Sequence, residues 1–334
     1  MYTNKKLYLL GAMLLLLTSC FDNDISEIGG TPTENFNLLW QQVNDNYCYL
    51  EYKEINWDSI GEVYQAKVSD DMSDEALFTV CADMLNELKD GHVNLVSGFD
   101  VSRYWDWYLD YPQNFNRTIL ERNYLGADFK ILGGLYAQKI NNVGYLYYRS
   151  FMNEFSTDLL QTALSQFGDI VGLIIDVRDN GGGSLYYSQL FASAFAPEEM
   201  IYGYIRYKEG VGDSYSSYFP QYLEPEGAAL YEGNIVVLAN RSSYSATNNF
   251  VSAMSCLENV TIIGDKTGGG GGAPFSSELY NGWQVRFSRN PLYDKDKKHI
   301  EFGIEPDISV DMTNDGKDRI IDEAIDYLKK LLEK

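Results

Sequence analysis

The sequence predicts an α/β fold, and three observations predict it. The runs "IVGLIIDVR", "GNIVVLAN" and "NVTIIGD" are continuously apolar, as strands buried on both faces are. Helical periodicities alternate with these runs along the chain. The N-terminal part carries helical patterns alone, so a small helical subdomain precedes the α/β core. The 334 residues, 45% of them hydrophobic and 22% charged, suffice to bury a core in one large or two modest domains.

The elements follow in order. "MYTNKKLYLLGAMLLLLTSC" has Lys5 and Lys6, then an apolar run to Leu17 too short to span a bilayer comfortably. Its close, Leu17-Thr18-Ser19-Cys20, resembles a bacterial lipobox. That implies a signal peptide over 1–19, lipidation of Cys20, and an exported outer-membrane lipoprotein facing the periplasm or the surface. Residues 20–33 read as a tether. Phe36, Leu39, Trp40, Val43 and Tyr47 recur at three- and four-residue steps and predict a helix. A second helix is expected over Trp57–Lys67, and Ser73 caps a third. These make the helical subdomain, 34–97. Residues 98–130 form a connecting segment rich in Tyr104, Trp105, Trp107, Tyr108 and Tyr111, either a ligand-facing strip or packing between subdomains. The core, 131–334, holds strand "VGYLYYRSF", helices starting at Ser156, Ser184 and about Ser245, the three apolar strands, and an amphipathic C-terminal helix.

Composition excludes several function classes. The net charge of −22 repels nucleic acid and anionic surfaces, so no nucleic-acid partner is expected. Apart from Cys20, Cys48, Cys81 and Cys256 lack paired spacing and form no disulfide framework. With only His92 and His299 and no CxxC or HExxH, no metal site is expected.

Each of the three apolar strands runs into a polar, small-residue loop: "DVRDNGGGS", "NRSSYSATNN" and "GDKTGGGGGAP". Ligands gather beyond the carboxyl ends of such strands, so the loops should lie side by side. Ser245 opens a helix after a turn and is either an ordinary N-cap or an exposed nucleophile, with the Ala246 amide at the helix start as an oxyanion donor. Gly181, Gly182 and Gly183 let backbone approach a substrate. No Lys-Ser/Thr follows them, so this is no P-loop and no nucleotide or other cofactor is implied. A serine nucleophile needs a base, and spacing alone does not choose between His92 and His299.

"LNELKDGHVNL", "GLIIDVRDNGGGS", "VVLANRSSYSATNNF", "IIGDKTGGG" and "FGIEPDISV" occur in an order that resembles the tail-specific (C-terminal-processing) and tricorn-core serine peptidases, over about Asn35–Val310. The resemblance implies a crotonase-like α/β core that hydrolyses polypeptides through an acyl-serine. It puts Ser245 on the nucleophile, and Ala246 and Gly182, with Gly181 adjacent, on the oxyanion hole. The tail-specific branch uses a lysine base, but Gly270 stands at its position and Lys266 falls elsewhere. The tricorn-like branch implies instead that His92 is the base and Glu301 its orienting carboxylate, with Glu305 and Glu278 as reserves. The serine that can precede this histidine is Gly91 here, and no PDZ-like module is evident. Gly269 and Gly270 are expected to line the substrate path. The alternative is a peptidase-fold module that binds polypeptide tails or glycans without cleaving them.

Overall fold

The computed structural model describes residues 29–333. Cys20, the signal peptide and most of the tether lie outside the described residues.

Helices α1 (Pro32–Asn46), α2 (Trp57–Gln65) and α3 (Asp74–Asn86) come first. Thr31 and Glu34 form a reciprocal capping box at the start of α1, with Pro32 in the first turn. Such a cap is worth about 1 kcal/mol. Ser73 caps α3 through the Ala76 amide, as the sequence predicts.

Two sheets follow. One has seven strands in the order β13 (Ile308–Ser309), β10 (Val260–Gly264), β9 (Ile235–Ala239), β6 (Leu173–Asp176), β5 (Val143–Tyr148), β4 (Leu135–Ile140) and β3 (Lys130–Leu132). It is parallel from β13 to β5 and antiparallel beyond. Its central strands are apolar throughout because both faces are covered. Leu173, Ile175, Ile235 and Val237 face helices α6 (Thr157–Phe167), α7 (Leu185–Ser193) and α8 (Ala246–Met254), while Ile174, Val236 and Leu238 face α9 (Arg319–Leu331). Each such aliphatic side chain contributes about 1.5–3 kcal/mol on burial. Two short helices, α4 (Asp106–Leu109) and α5 (Arg117–Ile119), lie in the connecting segment.

The second sheet was not foreseen. β1 (Asn94–Val96), β2 (Val101–Arg103), β7 (Met200–Ile205), β8 (Phe219–Leu223), β11 (Gly272–Glu278) and β12 (Gln284–Asp294) pair antiparallel, with β12 at the centre. One face of it completes the core of α1–α3: Leu279, Trp283, Val285 and Phe287 pack with Phe36, Leu39, Leu77 and Met84. The N-terminal helices therefore share their core with strands drawn from the far end of the chain.

A buried ion cluster ties the end of the central strand β6 to the start of α9. Arg178, just after β6, is fully buried and donates to both Asp176 (2.7 Å) and Asp318 (2.9 Å). Asp318 also caps α9 by accepting from the Ile321 amide.

Candidate active site

Strands β6, β9 and β10 are parallel neighbours, so their three C-terminal loops meet as the sequence predicts. The loops are bonded to each other. The Tyr244 amide donates to Asn180 O, the Ser245 amide to Gly269 O at 2.8 Å, and the Gly268 amide to Ser243 O.

Ser245 is no ordinary cap. Its φ of 59° and ψ of −119° lie where side chains other than glycine's are strained, at about 1–3 kcal/mol. It makes no side-chain cap bond. Its Oγ instead lies 2.8 Å from Nε2 of His92. His92 is buried, and burial pulls its pKa down to about 4 although Asp90 pulls it up, so the imidazole is neutral near pH 7. The structure thus brings Ser245 and His92 together across 153 positions of chain. His299 lies elsewhere, stacked on Tyr52 at 4.0 Å between ring centroids.

The Ala246 amide, first in α8, makes no hydrogen bond among the described residues, and nor does the amide of Gly181, an exposed residue. Gly182 departs from expectation. Its N–H is engaged by Asn180 Oδ1 at 3.0 Å, a side chain also fixed by the Thr247 hydroxyl. Gly182 matters by what it lacks: a Cβ there would lie 2.9 Å from the Ala246 nitrogen.

Gly270 lines a cavity with Asp90, Gly91, Trp107 and Tyr244, and Gly269 precedes it in the loop. Both are buried with φ of 80° and 75°, and their backbone serves the interior. The Gly270 amide donates to Glu301 O at 3.1 Å. A Cβ on Gly269 would strike that carbonyl, and one on Gly270 would strike the ring of Tyr244, so no lysine side chain fits at 270. Lys266 is paired at the surface with Glu305 at 2.7 Å.

Glu301 is buried but makes no hydrogen bond to His92. Its carboxylate accepts from Lys53 Nζ at 2.7 Å and from the Gly271 amide at 2.9 Å. Burial raises its pKa to about 7 against the pull of Lys53. Neither reserve reaches the imidazole: Glu305 holds Lys266, and exposed Glu278 accepts from Gln284.

The groups around His92 are ones sequence reasoning missed. Asp90 Oδ1 accepts from the His92 amide at 2.7 Å. Asp90 Oδ2 accepts from Ser288 Oγ at 3.0 Å and from the Tyr47 hydroxyl at 2.9 Å. Ser288 Oγ lies 3.4 Å from Nδ1 of His92. Lys53 donates to the Tyr47 hydroxyl at 3.0 Å. Burial would push the Asp90 carboxyl up, but Lys53, His92 and the donated hydrogen bonds outweigh it and hold it below its ordinary value. Of the aromatic segment, Trp107 packs beside this site, while Trp105 and Tyr111 stay exposed. Trp107 stacks on Tyr244 at 4.0 Å, and a Cβ on Gly91 would lie 2.5 Å from its Nε1.

With that geometry in place, the comparisons decide the family. The model of peptidase family S41 matches residues 142–310, and that of the tricorn protease C1 domain matches residues 31–86. The chain belongs to peptidase family S41. It is 46% identical to a candidate peptidase from Parabacteroides merdae whose crystal structure covers 90% of this chain and 97% of its own, with a TM-score of 0.86. A probable CtpA-like serine protease of Staphylococcus aureus is 24% identical over 179 residues, 52% of this chain and 34% of that protein. The chain thus matches about a third of the length of such curated relatives. The photosystem II D1 C-terminal processing protease shares the fold at 16% identity, a TM-score of 0.53, and 84% and 94% coverage of this chain and its own. By family, this S41 member falls among serine-type peptidases, on a mixed α/β scaffold.

Proposed function

We propose that this S41 protein is an exported, lipid-anchored serine endopeptidase that cleaves polypeptides through an acyl-serine on a crotonase-like core. Ser245 attacks the scissile carbonyl carbon while His92 Nε2 takes its proton. The same nitrogen then returns that proton to the leaving amine, and water repeats the cycle on the ester. The Ala246 amide and an amide of the 181–183 loop receive the oxyanion. Since the Gly182 N–H is engaged by Asn180, Gly181 is the donor we assign beside Ala246. One such donor is worth about 2.7–4 kcal/mol in known cases. Glu301 serves at a distance, by fixing Lys53 and Gly271.

One observation carries the reading: the strained Ser245 leaves its capping role and turns its hydroxyl to His92 at 2.8 Å. Cleavage of a fluorescently labelled unfolded polypeptide tests it. Wild type should cut, and Ser245→Ala should not; equal cutting by both would remove Ser245 from the mechanism. The anchor rests on the lipobox-like "LTSC". Cys20→Ala should abolish incorporation of a tagged fatty acid in cells, and unchanged incorporation would refute the anchor.

A further inference from the structure

We infer that Asp90, acting through the hydroxyl of Ser288, is the group that orients the catalytic imidazole, in place of Glu301. The inference rests on the proposed Ser245–His92 chemistry and assigns its positioning residues.

The polarity of the network fixes every proton. An ionised carboxylate only accepts hydrogen bonds, and Asp90 accepts from the His92 amide, Tyr47 and Ser288. The Ser288 hydroxyl therefore donates to Asp90, and its lone pairs face Nδ1 of His92. Nδ1 must carry the ring proton, which leaves Nε2 as a bare lone pair toward Ser245. That is the tautomer a general base needs. When Nε2 takes the serine proton, the imidazolium charge is spread toward Ser288 and Asp90. Asp90 stays ionised throughout.

Position 288 is placed for this by strand alternation. Val285 and Phe287 on β12 enter the helical core, so Arg286 and Ser288 face the opposite side. Ser288 is fully buried there. A hydroxyl at position 91 could not do the same work, since the indole of Trp107 and the Tyr244 hydroxyl, 2.9 Å from where a Cβ would stand, fill that space. Glu301 stands further off: its partner Lys53 lies 3.8 Å from Asp90 Oδ2 and donates to Tyr47, which in turn donates to Asp90.

The chain's two histidines make the ring directly observable. Nitrogen-15 NMR of histidine-labelled protein, assigned with a His299→Gln variant, should show His92 protonated at Nδ1 near pH 7. Ser288→Ala should shift it toward the Nε2–H form. It should also lower kcat on the labelled polypeptide by about 10- to 100-fold with little change in KM, a part of what general-base assistance supplies. Asp90→Asn should cost on the order of 10³- to 10⁴-fold, because an amide can donate to Ser288 and reverse the network. Glu301→Gln should leave the tautomer unchanged and lose less kcat than Asp90→Asn. Wild-type His92 protonated at Nε2, or an unmoved tautomer and kcat in Ser288→Ala, would overturn the inference. A tautomer that moves in Glu301→Gln but not in Ser288→Ala would return the orienting role to Glu301. Should wild type cleave no polypeptide, the peptidase reading fails while the tautomer still tests this one.

Discussion

Arg178 sits between Asp176 and Asp318, and Lys53 sits between Glu301 and Asp90; each cluster holds one cation and two carboxylates out of water. The arginine's planar fork serves both partners, with donor distances of 2.7–3.2 Å to Asp176 and 2.9–3.0 Å to Asp318. The lysine is a point charge and serves its partners unequally: 2.7 Å to Glu301 and 3.8 Å to Asp90. Asp90 is completed instead by hydroxyls and by the His92 amide. The saturated cluster holds two chain segments together. The other leaves negative potential beside an imidazole and keeps Glu301 titratable near neutrality. The same charges, differently forked, give cement in one place and chemistry in the other.

Breaking the cement should have the largest effect. Arg178→Met leaves Asp176 and Asp318 buried without a cation and should cost about 3–5 kcal/mol of stability, measured by urea unfolding. A loss under about 1 kcal/mol would erase the distinction between the clusters.

Lys53→Met should cost less, because Glu301, whose pKa burial raises to about 7, can take a proton once its cation is gone. The sign follows from Glu301's raised pKa. The stability lost on removing Lys53 should grow as pH rises through about 7 and shrink in acid. A pH-independent loss would contradict the cluster's titratable character.

Gly270→Ala should cost about 1–3 kcal/mol through overpacking against Tyr244 and a disfavoured φ. Tyr244 also touches the His92 ring at 4.9 Å between centroids, so activity should fall with stability. Thermal unfolding and peptidase rates measured together check both.

The last effect is a slope. His92 titrates at about 4 folded against an ordinary 6.5, so the unfolded chain binds the extra proton between those values and stability rises with pH across that window. His299, also lowered to about 4 by burial, adds to the rise. Glu301 opposes it: raised to about 7 from 4.5, it binds the extra proton when folded, and its contribution falls with pH from 4.5 to 7. Glu301→Gln should therefore steepen the gain in stability between pH 4.5 and 6.5. An unaltered slope would show that Glu301 titrates normally.

The two clusters also differ in how far sequence announces them. Arg178 lies in "DVRDN", inside a motif whose strand, loop and helix are local and periodic. Local signals likewise marked the caps Ser73, Ser156 and Ser184, each of which accepts from the amide three residues on. Ser245 and His92 were legible through ordered motifs, and the meeting of three loops through strand alternation. The Lys53–Asp90–Ser288 network was not, because its members come from a turn, the loop after α3 and β12, which only the tertiary fold brings together. The antiparallel sheet joins the local hairpins β1–β2 and β11–β12 across nearly 200 positions of chain, a pairing no local pattern encodes. The tight packing of Gly269 and Gly270 was not legible either, because small residues fit open backbone and close contact alike; the contacts with Glu301 and Tyr244 show it.

The Ser245–His92 pair is the centre of the account, and acylation by a fluorophosphonate tests it most directly. Wild type should form one adduct per chain, on Ser245, and His92→Ala should acylate at least about 100-fold more slowly. No adduct on Ser245, or equal rates in the two proteins, would contradict it.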